Sequence, residues 1–106
     1  MGMGFTYQGV SGELYHFLMV DMRNPKALPW HGGLFVFATY TPDPLYFGEG
    51  ANLFESMTSS PQWAKAEEDA HGITVAYLLL EDDSRKRAAI LADLLANHAA
   101  PLNRAQ

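Results

Sequence analysis

Four histidines, twelve carboxylates and seven lysines and arginines carry most of the reactive chemistry available to this 106-residue chain, which has no cysteine. The lack of cysteine removes disulfides, thiolate metal sites and cysteine nucleophiles together. The histidines, His16, His31, His71 and His98, show no close paired ligand spacing, so no metal centre is expected from them. The acidic run Glu81-Asp82-Asp83 precedes a helical pattern. Negative charge at a helix N-terminus is worth roughly 0.3–1 kcal/mol per group, which accounts for most of that run. Arg85, Lys86 and Arg87 form the one basic cluster and open the same helix, where their charge opposes the dipole. They are the candidate phosphate contact. Glu67-Glu68-Asp69 reads as a solvated helix face. Gly48-Glu49-Gly50 lacks the lysine and the spacing of a phosphate loop, and no Ser-His-Asp nucleophile motif is present.

These residues must be positioned by one domain covering residues 1–106, a length that closes a single core without staples. A hydrophobic fraction of 48% and a charged fraction of 18% are those of an ordinary folded protein. Met1 to Tyr15 shows no secretory signal and no apolar run is long enough for a membrane span, so a cytoplasmic protein is expected. A net charge of −5 works against sequence-blind binding to a phosphate backbone, which depends on basic residues releasing counterions.

Residues 1–13 read as glycine-rich and irregular. Leu14 to Met22 is aromatic and apolar, an additional N-terminal strand. Pro25, Pro29, Gly32 and Gly33 mark a loop. Leu34–Tyr40 and Leu45–Gly48 read as a hairpin joined across Pro42 and Pro44. Asn52 caps a short helix to Thr58. Ser60 caps a second, with Pro61 at its first position and Gly72 at its end. Ile73–Glu81 is a buried strand. Asp83 or Ser84 caps a last helix to about Asn97, whose Ile90, Leu91, Leu94 and Leu95 share one face. Pro101 closes the domain. The expected architecture is α+β, with a small antiparallel sheet of three to four strands flanked by helices.

Gly33-Leu34-Phe35 resembles the Gly-Ile-Tyr strand of the GIY-YIG nuclease superfamily, and Tyr46-Phe47-Gly48 stands where its Tyr-Ile-Gly would sit. Trp63, Ala66, His71 to Val75, Arg87 to Leu95 and Pro101-Leu102-Asn103 resemble a small bacterial branch, so the likeness runs over about residues 31–104. It implies a nuclease site in which one glutamate holds a divalent metal, two tyrosines organise water and an arginine neutralises the phosphate. Carried over by position, those groups fall on Phe35, Tyr46, Ser56 and Leu91, with Asn103 retained. Phe35 lacks the hydroxyl, Ser56 lacks charge, and Leu91 cannot ligate a hard cation. Asp93, two residues on, points about 200° away around the helix. Each position also has a plain structural reading: Phe35 and Leu91 as core, Tyr46 as a half-buried strand aromatic, Asn103 pinning a loop, and Gly48 serving a tight turn or close packing.

The resemblance therefore implies a catalytically inactive, nuclease-like binding or interaction module with no functional catalytic residue, no metal and no cofactor. The alternative is a divergent DNA endonuclease that uses Mg²⁺ or Mn²⁺ on other carboxylates, such as Glu49, Glu55 or Asp93. The partner is left open among nucleic acid, which the net charge disfavours, another protein and a second copy. Trp30 and Trp63 are read as exposed aromatics suited to an interface, and no membrane association is expected.

Overall fold

The computed structural model describes residues 4–70 and 73–104. Its centre is the hairpin expected from the two-proline turn. Strand β3 (Gly33–Thr39) and strand β4 (Pro44–Gly50) pair antiparallel, with Phe35 opposite Gly48 and Phe37 opposite Tyr46. The register slips after Phe37, so that Ala38 faces Pro44 and Leu45 is left as a bulge. On its other side β3 pairs antiparallel with β5 (Thr74–Leu80) along its whole length. Strand β2 (Leu14–Val20) adds to β5, and β1 (Gly4–Gln8) adds to β2. The sheet thus has five antiparallel strands in the order β1-β2-β5-β3-β4.

The α+β class and the antiparallel sheet match expectation, while the strand count is five rather than three to four. The missing strand is β1, in the stretch read as irregular. Its five residues include Gly4, and the alternation of Phe5 and Tyr7 with Thr6 and Gln8 is too short a run to mark a strand against the surrounding glycines. A turn around Gly12, with a φ of 93° that favours glycine, folds β1 back onto β2.

Alternation along β3 builds two cores. Phe35 and Phe37 point to one face, where they meet Leu53 and Met57 of α1 (Leu53–Thr58), Ala66 of α2 (Gln62–Ala70) and Leu102 of α4 (Pro101–Arg104). Leu34, Val36 and Ala38 point to the other, against Leu94 of α3 (Ser84–Asn97), Phe17 and Phe47. Six of the seven β3 residues are buried, because a central strand is covered on both faces. Local signals place the helix starts. The Asn52 side chain accepts from Glu55 N–H, Ser60 Oγ from Gln62 N–H, and Asp83 from the N–H groups of Arg85 and Lys86. Ile90, Leu91 and Leu95 pack beside the buried Leu94 as the spacing predicts. The short α4 begins at Pro101, so the chain closes the domain with one more helical turn. The expected helix end at Gly72, with the His71-Gly72 part of the resemblance, lies outside the described residues.

Candidate functional site

Phe35 and Tyr46 lie on the α1–α2 face, diagonal to each other across the hairpin, with ring centroids 6.1 Å apart. Phe37 extends the cluster, 6.2 Å from Tyr46 and 5.0 Å from Trp63. Phe35 is buried and Tyr46 half-buried in this aromatic group. Gly48 is opposite Phe35, and a Cβ there would run into the Phe35 ring, so the glycine serves close packing. Ser56 stands on the same side, with its hydroxyl against Gly50.

Leu91 is elsewhere. It packs from α3 into the core on the opposite face of the sheet, beside Leu94 and Leu95. The sheet therefore stands between Leu91 and the Phe35–Tyr46–Ser56 group. Asn103 sits at neither core. Its side-chain Oδ1 accepts from Phe47 N–H at 2.8 Å and its Nδ2 donates to Phe47 C=O at 2.9 Å. A primary amide offers the same donor and acceptor pair as a strand neighbour, so Asn103 satisfies one residue of the β4 edge and pins a strand rather than a loop.

The basic cluster is divided. Arg85 and Lys86 are exposed, whereas Arg87 is only 6% exposed. Its Nε donates to Glu49 at 2.8 Å, and its Nη1 donates to the carbonyls of Glu81 and Asp82 at 3.0 and 2.7 Å. Four segments meet there: Gly32 just before β3, the end of β4, Glu81 and Asp82 just after β5, and the first turn of α3. Gly32 lies close against Nη1 and accepts from Glu81 N–H through its own carbonyl. The Arg87 charge is thus committed to an internal ion pair, leaving two of the three basic residues free to face a phosphate. The sequence held one hint of this. Arg87, Leu91 and Leu94 fall on one helical stripe, and a cation on an apolar stripe needs a partner. That the partner is Glu49, 38 residues away, depends on the fold.

The other carboxylates are also occupied or scattered. Asp82 accepts from Gly32 N–H at 3.1 Å and Asp83 caps α3. Asp93 faces away from Leu91, as helix geometry requires, and reaches the β1–β2 turn. It accepts from Ser11 N–H at 2.9 Å, Ser11 Oγ at 2.6 Å and Tyr15 Oη at 2.7 Å. These bonds, led by the Ser11 hydroxyl, hold its carboxyl below the usual value of 3.8. Burial, with the Asp93 hydrogen bond next, pushes Tyr15 up to about 12. Glu55 is exposed on α1. Among the described residues no three His, Asp or Glu side chains form a group able to hold a metal ion. A hard divalent cation does not fit the donor set at the resemblance-derived positions, because these residues include no carboxylate.

Aromatic exposure is uneven. Trp30 is 66% exposed and stacks on Phe54 of α1, with centroids 4.9 Å apart and planes 9° from parallel. Trp63, expected to be exposed, is instead half-buried on Phe37 because α2 lies along the sheet. A surface depression of about 780 Å³ is bordered by Met22, Arg23, Trp63 and Ile73, and the Arg23 side chain there lies 3.2 Å from the Asp21 carboxylate. No described helix is long and apolar enough to cross a membrane.

The geometry defines an antiparallel α+β domain with a divided aromatic and ionic interior. Comparison of this chain with protein-family models, with curated proteins and with solved structures finds no match.

Proposed function

We propose that this chain is a non-hydrolytic binding module on a GIY-YIG-like frame. The frame reading is supported by element order: a β3–β4 hairpin, two helices, a strand returning beside β3, and a closing helix. The loss of hydrolysis rests on one observation above all. The two positions that would supply charge in that register, Ser56 and Leu91, carry none, and their places on opposite faces of the sheet do not assemble them into one site.

Phosphodiester hydrolysis must balance charge that accumulates on the phosphorane oxygens. Tyr46 keeps a hydroxyl but has Phe35 and Phe37 as its ring neighbours, so no general base is paired with it in that cluster. Arg87 reaches the end of the hairpin from α3, and its charge is neutralised there by Glu49. A single missing oxyanion stabiliser costs on the order of 3–4 kcal/mol, a hundred- to a thousandfold in rate.

The test is cleavage of single-stranded, duplex and branched DNA with Mg²⁺ or Mn²⁺, using wild type and Tyr46→Phe. The expected result is no product from either protein above a buffer control. Cutting by wild type that Tyr46→Phe abolishes would sink the reading and make Tyr46 a catalytic residue. Cutting that is lost in Glu49→Gln or Glu55→Gln would establish the divergent-endonuclease alternative.

A further inference from the structure

The two edges of the sheet are treated differently. The β4 edge begins with Pro44, carries a bulge at Leu45, includes the charged Glu49 and has Asn103 bonded to Phe47. Proline, bulges, charges and covering groups are the devices that stop an edge from recruiting another strand. The β1 edge, Gly-Phe-Thr-Tyr-Gln, has no proline, no charge and no bulge against β2.

The hydrogen-bond phase of β1 can be read from its turn. Gly9 N–H donates to Glu13 C=O, which makes Gly9 and Glu13 a hydrogen-bonded pair. Alternation along an antiparallel ladder then makes Tyr7–Tyr15 and Phe5–Phe17 the next such pairs. The main-chain groups of Gln8, Thr6 and Gly4 therefore point away from the sheet. Gln8 agrees with this phase, because its outward carbonyl accepts from Asn97 Nδ2 and lies 2.8 Å from His98 Nε2. Among the described residues nothing meets the outward N–H and C=O groups of Gly4 and Thr6.

We propose that β1 pairs antiparallel with β1 of a second copy about a two-fold axis at Phe5, joining two five-stranded sheets into one. Gly4 of each chain then lies opposite Thr6 of the other, and each of these two pairs exchanges reciprocal N–H···O=C bonds. This register uses the open groups and leaves the Gln8 carbonyl to Asn97 and His98. It also sets Phe5, 38% exposed, opposite its symmetry mate as a close cross-strand aromatic pair.

The open groups of Gly4 and Thr6 are self-complementary about Phe5, which points to a second copy as the occupant, and charge permits it. Two chains of net charge −5 repel, yet residues 4–20 contain one charged side chain, Glu13, in the turn at the far end of β1. The β1 edge is thus where like-charged copies can meet with least repulsion, and depletion of charge is the compositional mark of an interface core. The flanking Leu14 and Leu18 of β2, 64% and 50% exposed, lie on the face left bare by α1 and α2. The same short strand supplies both partners, as an isologous contact requires. This inference is independent of the reading of Tyr46.

Sedimentation velocity of the full chain, from micromolar to submillimolar concentration, tests it. Wild type should pass reversibly from monomer to dimer. Phe5→Lys, which opposes two like charges on the axis, and Thr6→Pro, which removes an outward N–H, should each weaken the dimer at least tenfold. Circular dichroism and thermal melting would verify that each variant is folded, and Phe5→Lys alone suffices if Thr6→Pro is not. Amide exchange gives a second readout: the Thr6 N–H should become protected as concentration rises. A wild type that stays monomeric throughout, a dimer unaffected by Phe5→Lys, or a Thr6 amide that exchanges freely in the dimer would each overturn the proposal.

Discussion

Asn103 and Arg87 both use a side chain to satisfy main-chain groups far away in sequence. Asn103 closes one residue of an exposed edge; Arg87 fastens β4, β5 and α3 at one point. The Asn103 contact gives a simple expectation. Asn103→Ala removes two bonds and leaves the part-buried Phe47 N–H and C=O unmatched. Net hydrogen bonds are worth about 1 kcal/mol and an orphaned buried group costs about 1–3 kcal/mol. Unfolding in urea should therefore show a loss of roughly 2–3 kcal/mol. A loss below about 0.5 kcal/mol, within the ordinary range for surface substitutions, would mean that water replaces the amide.

At the scale of elements, the β1–β2 hairpin is joined to α3 through Asp93. Its carboxylate binds Ser11 and Tyr15, and its own carbonyl accepts from Val10 N–H at 3.1 Å. The folded carboxyl is depressed, so the unfolded state binds more protons in acid. The contribution is complete above the ordinary value of 3.8 and is lost as pH falls below it toward the folded value. Tyr15 works in the opposite sense. Its folded hydroxyl is raised, so its contribution is complete below 10.0 and is lost as pH climbs from there through about 12. Thermal melting against pH should show both arms. Asp93→Asn should flatten the acid arm, and Tyr15→Phe should flatten the alkaline one. An acid arm unchanged in Asp93→Asn would show that the carboxylate is not what holds the hairpin.

For the whole molecule, charge governs contact with nucleic acid. Net charge is −5, and Arg87 is withdrawn into an ion pair, which leaves Arg85 and Lys86 exposed at the start of α3. Each phosphate neutralised contributes about −0.9 to the slope of log K against log salt on duplex DNA, so two cations set a slope no steeper than about −2. Fluorescence anisotropy should find binding that is weak, independent of sequence and lost in the Arg85→Ala, Lys86→Ala double variant. A steeper slope would require a basic surface beyond this cluster.

The sequence alone determined what depends on near neighbours and on composition. The Pro42–Pro44 turn, the Asn52, Ser60 and Asp83 caps and the Ile90–Leu95 stripe act over a few residues, and each matches the fold. The direction of Asp93, away from Leu91, followed from helix geometry in the same way. Strand β1 was hidden because its alternation of Phe5 and Tyr7 with Thr6 and Gln8 spans five residues set among Gly2, Gly4, Gly9 and Gly12, which read as a loop. Tertiary structure decided the pairings between distant residues: Arg87 with Glu49, Asp93 with Ser11 and Tyr15, and Asn103 with Phe47. It also decided that Leu91 and Tyr46 lie on opposite faces, and that Trp63 is covered while Trp30 is not. The physical reason is that side-chain periodicity specifies which residues of one element share a face. Which elements are brought against that face depends on burial and hydrogen bonding summed over the whole chain.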